Sequence, residues 1–380
     1  MPVTHDAPHR RPIVLLGPTA GGKSDLAAAL AENLGGEVIG ADSMQVYRHL
    51  DAGTAKPPHA LRQRVPHQMV DIVEPTQRFT VHDWLAHATQ EITRVQASPG
   101  GGGTPIVVGG TNLYLKALLD GLFDGPGQDA DFRASLENIE TPKLHERLKQ
   151  ADPEAGDRIK PADRQRIVRA LEVFELTGKP ISALQTQWEA GSGQVIQRPS
   201  DQVQKSESSQ ISTTRPLGHS ATSPYRLLGL RWSAEHINPR INLRVKAMFY
   251  PDKVDEQLAR DVCINGESLI DEVKRLKEEN HFNPILSDNH RSPNQAREAL
   301  GYKQLLAVIE GTDPKLKTID DAFERTKVLT RRFAKQQRTW LKRFTDTHWI
   351  DCDPRNADAG EANDPGRISD EALAWAHAEG

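Results

Sequence analysis

The run Gly17-Pro18-Thr19-Ala20-Gly21-Gly22-Lys23-Ser24 constrains this chain more than any other stretch. It fits the pattern G-x-x-x-x-G-K-[ST] at every fixed position. Pro12 to Leu16 ahead of it reads as a buried strand, and the Ala- and Leu-rich stretch Leu26 to Leu34 behind it reads as a helix stopped by Gly35-Gly36. In a strand–turn–helix of this kind the glycines let successive backbone N–H groups point into one concavity. The helix N-terminus adds its partial positive charge there. Lys23 would reach the outer phosphate, and the Ser24 hydroxyl would complete a Mg²⁺ shell. The chain is therefore expected to bind a di- or triphosphate group; the motif does not say whose.

Length and composition limit the rest. A chain of 380 residues, 37% hydrophobic and 26% charged, can bury a full core and still carry polar elaborations. Met1 to Arg11 holds no apolar run, so neither a signal peptide nor a membrane span is expected, and a cytoplasmic location follows. Two isolated cysteines, Cys263 and Cys352, suggest no disulfide framework and no metal cluster. The net charge of −4 means that nucleic-acid binding would have to come from local patches.

Short apolar runs alternate with helical patterns, which predicts an α/β fold: a P-loop NTPase-like core with a mostly parallel sheet, plus an inserted helical subdomain. The expected strands are Ile13 to Leu16, Glu37 to Ile39, Ile106 to Val108 and Arg226 to Leu230. The first three run into the turns Gly17 to Ser24, Gly40 to Gln45 and Gly109-Gly110-Thr111. Ligands collect at the carboxyl ends of parallel strands, so these three loops are expected to converge on one site. The expected division is a core of residues 10–122 and 224–350 with a helical insertion at 123–190. Residues 191–223, rich in Ser, Gln and Thr, read as a disordered insertion and 351–380 as a flexible tail with room for a short helix at Ile368 to Ala378.

Two further features bear on chemistry. Asp42 follows a strand and should sit opposite the phosphate loop, where a carboxylate can hold Mg²⁺, accept a proton, or merely cap the next helix. From Arg325 to Arg343 there are eight Lys or Arg residues and no acidic one. Helical periodicity puts Lys327, Arg331, Lys335, Arg338 and Lys342 on one stripe, with Leu329, Phe333, Trp340 and Phe344 opposite and packed inward. A stripe without counter-charges suits a polyanion such as a nucleic-acid backbone better than a merely solvated face. Phosphoryl-transfer enzymes usually follow the phosphate loop with a strand ending in a Mg²⁺-binding Asp. Here Ile106 to Val108 ends in Gly109-Gly110-Thr111, and the only rival carboxylate is Asp71. That pattern favours a loop that grips a diphosphate leaving group over one that turns over ATP.

Taken together, the residues carry a resemblance. The phosphate loop, Asp42-Ser43-Met44-Gln45-Val46-Tyr47, Gly53-Thr54-Ala55-Lys56-Pro57, Val65-Pro66-His67, Val107-Val108-Gly109-Gly110-Thr111, Gln165 to Val173 and Ala299-Leu300-Gly301-Tyr302-Lys303 resemble the tRNA dimethylallyltransferase family, in order from about Pro12 to Ile350. The resemblance implies transfer of a dimethylallyl group from dimethylallyl diphosphate to the exocyclic N6 amine of an adenine. That adenine lies immediately 3′ of the anticodon in tRNAs reading U-initial codons. It implies Thr19 to Ser24 as the diphosphate site, Asp42 as the base, Arg240 as a diphosphate ligand, and Thr19 and Arg240 beside Asp42 in catalysis. It further implies tRNA contacts at Asp42, Ser43, Met44, Gln45, Thr111, Arg133, Gln165, Arg166, Ile167, Val168 and Arg169, with Mg²⁺ as cofactor and a monomer as the working form.

The chain also departs from that family's pattern. Residues 191–223 are extra, Phe249 to Asn265 intervenes before Gly266, Gln336 stands where Arg is usual, and Arg338 where an apolar residue is usual. Two other classes share part of the signal. An adenylate isopentenyltransferase shares the chemistry but needs neither the helical insertion nor the basic stripe, and a P-loop small-molecule kinase shares the loop. A GTPase-like switch fits least, because no Asn-Lys-x-Asp run is present.

Overall fold

A computed structural model describes residues 10–98, 102–122, 125–185, 223–287, 290–292, 294–354 and 364–378. The expected disordered insertion lies, apart from Ser223, outside these residues. The chain divides into two compact units, Met1–Leu115 with His219–Gly380, and Lys116–Gly218.

The first unit is built on a six-stranded sheet of β1 (Ile13–Leu16), β2 (Glu37–Gly40), β3 (His67–Gln68), β4 (Pro105–Val108), β5 (Arg226–Arg231) and β8 (His348–Asp351), in the order β3-β2-β4-β1-β5-β8. Every pairing is parallel. A separate antiparallel pair, β6 (Ile285–Ser287) and β7 (His290–Ser292), lies outside it. Strands β1 and β4 are buried along their whole length, as a sheet covered on both faces requires. The expected strands appear. The short edge strands β3 and β8 were not anticipated, because two and four residues of mixed polarity carry little periodic signal.

The tail corrects an expectation. Helix Pro365–Ala378 buries Ile368, Ala372 and Ala376. The Arg226 guanidinium donates to the Ala376 and Trp375 carbonyls, both at 2.9 Å, and lies 4.3 Å from the Trp375 ring centroid. Those last-turn carbonyls have no partner within the helix, so a cation there fixes its end in place.

The second unit packs short helices around Leu136, Leu144, Leu148, Ile167, Ala170 and Val173. Beside that core, the fully buried Glu172 accepts from Asp129 N–H at 2.9 Å, from Arg133 at 2.6 and 2.8 Å, and from Arg169 at 2.7 Å. These donors outweigh the cost of burial and hold its carboxyl below the usual carboxylate range.

Candidate active site

The phosphate loop leaves β1 at Gly17 and feeds helix Lys23–Asn33. Gly22 takes the left-handed φ of 83° that turns the chain into the helix. At Gly21 a Cβ would stand 2.9 Å from the Pro18 carbonyl oxygen and 3.2 Å from Trp232 Nε1, so the tight turn needs glycine. Trp232 Nε1 donates to the Gly21 carbonyl at 3.1 Å and fixes the loop from outside.

Lys23 is buried, and its ammonium donates to the Pro18 carbonyl at 2.8 Å. Burial first, and then the Arg244 guanidinium, bring its pKa down to about 8 against the opposing charge of Asp42. Arg240 Nε donates to the Ala20 carbonyl at 3.0 Å, with the guanidinium 4.9 Å from the Trp232 ring centroid. Arg244 reaches the Thr19 hydroxyl at 3.4 Å. Burial lowers the pKa of both arginines, so each charge is held in a site already stripped of much of its water. The motif reading missed Arg244. Its signal is its place one helical turn after Arg240 in helix Ala234–Phe249, which puts both side chains on one face.

Asp42 caps a turn and lines the cavities at the loop. Its Oδ1 accepts from Met44 N–H at 2.9 Å and Gln45 N–H at 3.4 Å, so it caps a turn, and no helix follows. It also borders two cavities. One, of about 630 Å³, is lined by Gly21 to Ser24, Lys23 included, with Arg240 and Arg244; the other, of about 370 Å³, by Ser43, Met44, Thr111, Leu329 and Phe333. Thr19, Ala20, Asp42, Thr54, Arg244 and Phe333 line both.

The remaining expected contact residues fall into two groups. Ser43, Gln45 and Thr111 are tied into the site: the Thr111 hydroxyl accepts from Ser43 N–H at 2.9 Å, and Gln45 Nε2 donates to the Thr54 and Ala55 carbonyls at 3.1 Å each. In the second unit Gln165 and Arg166 are exposed, Val168 is half-buried, and Arg133 and Arg169 spend their charge on Glu172. Ile167 is 0% exposed, so its side chain is core and not contact surface.

Asp71 is occupied. Lys56 and Arg62 approach its two oxygens at 2.5 and 2.6 Å, which leaves no carboxylate there for a metal. Among the described residues no cluster of three or more His, Cys, Asp or Glu side chains stands ready for a metal ion. Ser24, exposed in the first turn of its helix beside Asp25, offers one hydroxyl oxygen. That sparse donor set fits Mg²⁺, which is usually held mainly by substrate phosphates and water.

The basic helix, Ile319–Leu341, corrects the expected stripe. Its buried face is Ala322, Thr326, Ala334, Gln337 and Leu341, and the helix packs on both helix Ala234–Phe249 and helix Tyr302–Glu310. Arg331 donates to Asn242 Oδ1 at 3.0 Å and Arg338 to the Trp232 carbonyl at 3.2 Å. Lys327 pairs with Glu324 at 2.8 Å, one residue outside the acid-free stretch. The exposed cations are Arg325, Arg332, Lys335, Lys342 and Arg343. Leu329 and Phe333 line the second cavity, and only Phe344 of the expected inner set is fully buried. The insertion before Gly266 forms helix Glu256–Val262, whose Leu258, Asp261 and Val262 line the larger cavity.

The IPP transferase family model matches residues 45–344. The chain belongs to the IPP transferase family. The model described as isopentenyl transferase matches residues 12–68, which contain the phosphate loop and Asp42. A tRNA dimethylallyltransferase of Geobacter sulfurreducens is 38% identical over 353 residues, covering 91% of this chain and 93% of that protein. One named tRNA dimethylallyltransferase 1 in Citrifermentans bemidjiense is 36% identical over 339 residues, with 89% and 91% covered. Among solved structures, a tRNA isopentenylpyrophosphate transferase of Bacillus halodurans aligns with TM-score 0.56 at 27% identity over 97% of this chain and 98% of that one. A eukaryotic dimethylallyltransferase acting on tRNA aligns with TM-score 0.63 at 25% identity over 94% and 77%. This IPP transferase therefore shares with these proteins a fold that runs through both of its units. Among its described residues no helix is long and apolar enough to cross a membrane.

Proposed function

We propose that this IPP transferase moves a dimethylallyl group from dimethylallyl diphosphate to the N6 amine of the adenine immediately 3′ of the anticodon in tRNAs reading U-initial codons. Membership of the family makes it a tRNA prenyltransferase; the position and the donor are our reading. One observation carries it: Asp42 borders both the cavity of the phosphate loop and the cavity beside it. A single carboxylate can then face a donor held on one side and an amine entering from the other.

The bond between the allylic carbon and the diphosphate oxygen breaks, and its electron pair leaves with the diphosphate. Lys23, Arg240 and Arg244 are fixed where that charge grows and need little rearrangement to receive it. The adenine N6 lone pair forms the new C–N bond, and the amine proton passes to Asp42. The backbone N–H groups of Met44 and Gln45 hold that carboxylate in one orientation. Mg²⁺, held by Ser24 and the phosphate oxygens, would supply further neutralisation of the leaving group. The adenine must leave its stack to reach such a site, as in other base-modifying enzymes. We read the exposed cations of helix Ile319–Leu341, with Gln165 and Arg166 of the second unit, as tRNA grip, and one cytoplasmic chain as the working form.

The test offers labelled dimethylallyl diphosphate with tRNA, AMP or ATP as acceptor. Label in tRNA alone is expected. Label in AMP alone would replace the reading with an adenylate prenyltransferase, and ATP hydrolysis without prenyl transfer with a kinase.

A further inference from the structure

Gln337 stands outside both the phosphate motif and the residues matched by resemblance. It is 1% exposed in helix Ile319–Leu341, and both ends of its carboxamide are used. Oε1 accepts from the Thr19 backbone N–H at 2.8 Å, and Nε2 donates to the Gly110 carbonyl at 2.7 Å. A glutamine amide offers one acceptor and one donor end, so this orientation satisfies both loops at once. Those loops follow β1 and β4, neighbours in the sheet. The fit is close: a Cβ on Gly110 would stand 2.7 Å from Gln337 Nε2 and 3.9 Å from Asp42 Oδ2.

The turn after β4 in turn fastens the Asp42 loop. Thr111 N–H donates to the Ala41 carbonyl at 3.1 Å, while the Thr111 hydroxyl accepts from Ser43 N–H at 2.9 Å. A continuous set of hydrogen bonds therefore runs from Thr19 through Gln337, Gly110 and Thr111 to the residues on either side of Asp42. Its one side chain from a distant element is Gln337, which lies 318 positions from Thr19.

We propose that Gln337 is a positioning residue for the transfer step, setting the distance between the diphosphate loop and Asp42. The inference rests on the functional reading above. The donor's allylic carbon is placed by the phosphate loop and the amine by the Asp42 loop, and they must come within about 3–3.5 Å to react. The two loops meet through this carboxamide, so losing it should loosen their spacing while leaving each half of the site intact.

The variants are Gln337→Met, similar in length but without donor or acceptor, and Gln337→Glu, which keeps an acceptor for Thr19 and loses the donor to Gly110. Dimethylallyl diphosphate binding is measured by direct titration, and transfer to tRNA in a single turnover. Transfer should slow by about 10- to 100-fold in both variants, with the donor Kd changed no more than about threefold. A general loss of fold would instead lower the stoichiometry of donor binding and the melting temperature. Should Gln337→Met fail to fold, Gly110→Ala decides. It should slow transfer in the native background and cost less in a Gln337→Ala background, where the obstructing amide is gone.

Transfer within about twofold of wild type in the Met variant would overturn the proposal. So would a donor Kd that weakens in step with the rate, or equal costs of Gly110→Ala in both backgrounds. A wild-type protein that labels no tRNA sinks the functional reading instead. A labelling wild type with unaffected Gln337 variants sinks only this one.

Discussion

The cations of the phosphate site and the cations of the long helix belong to the same unit and work in opposite electrostatic regimes. Lys23 is buried and Arg240 and Arg244 are half-buried, all three are bonded to backbone or hydroxyl oxygens, and burial holds each below its usual range. Arg332, Lys335, Lys342 and Arg343 stand in solvent. Charges of the first kind are screened little by salt and act on one small anion; charges of the second kind are screened strongly and add up along a polyanion. Residue type does not separate the two sets. Burial does.

The comparison can be broken most forcefully at Asp42, the carboxylate whose charge acts on both Lys23 and Arg244. Asp42→Ala should lower transfer by about 10²–10⁴-fold while the donor still binds, because the cations that grip it remain. Unchanged turnover would leave Asp42 as a turn cap only. Lys23→Ala should weaken donor binding by about 10- to 150-fold, the worth of one buried charge-assisted hydrogen bond, with little dependence on salt. A strong salt dependence of that loss would place Lys23 with the solvated set.

The same division predicts a pH response. The donor binds the protonated ammonium, and in the free protein Lys23 titrates at about 8, below its unfolded value. Donor affinity should therefore stay level below pH 8. Above it the affinity should fall by up to about tenfold per pH unit, until the pKa of the complex is passed. An affinity unchanged from pH 7 to 9.5 would contradict the buried setting.

On the solvated side, Arg332→Glu with Lys335→Glu should reduce the slope of log tRNA affinity against log salt by about 0.7–0.9 for each tRNA phosphate the protein no longer neutralises. Arg332 also lines the second cavity, so titrating the donor alone tests whether the two regimes stay apart. The smallest effect is expected at Arg331→Gln. This change removes a bond to Asn242 and should cost about 1 kcal/mol in thermal unfolding, with the salt slope unaltered. A slope that fell there would return Arg331 to the tRNA-facing set.

A third arrangement lies between these two. Buried Glu272 makes no ion pair with a cation among the described residues. It accepts from Asp51 N–H at 3.0 Å, Ala52 N–H at 2.9 Å and the Tyr302 hydroxyl, and burial lifts its pKa to about 7. Glu172, equally buried, is held low by two arginines. Both carboxylates anchor backbone N–H groups, but the two guanidiniums bonded to Glu172 offset its burial, whereas burial dominates at Glu272.

The sequence by itself determined what is local. A strand, a glycine-rich turn and a helix over Ile13–Asn33 follow from contiguous residues, as does the carboxylate at the end of β2, because backbone geometry and periodicity act within a few residues. The tertiary structure decided which face of an amphipathic helix turns inward. Periodicity divides Ile319–Leu341 into faces without ranking them. Packing against the rest of the fold buried the small side chains Ala322 and Ala334 and drew Arg331 and Arg338 into internal bonds. Gln337, Arg244 and Glu172 took their roles the same way. Each has partners on another turn or another element, and no contiguous stretch of chain records which distant atoms a fold will bring within 3 Å.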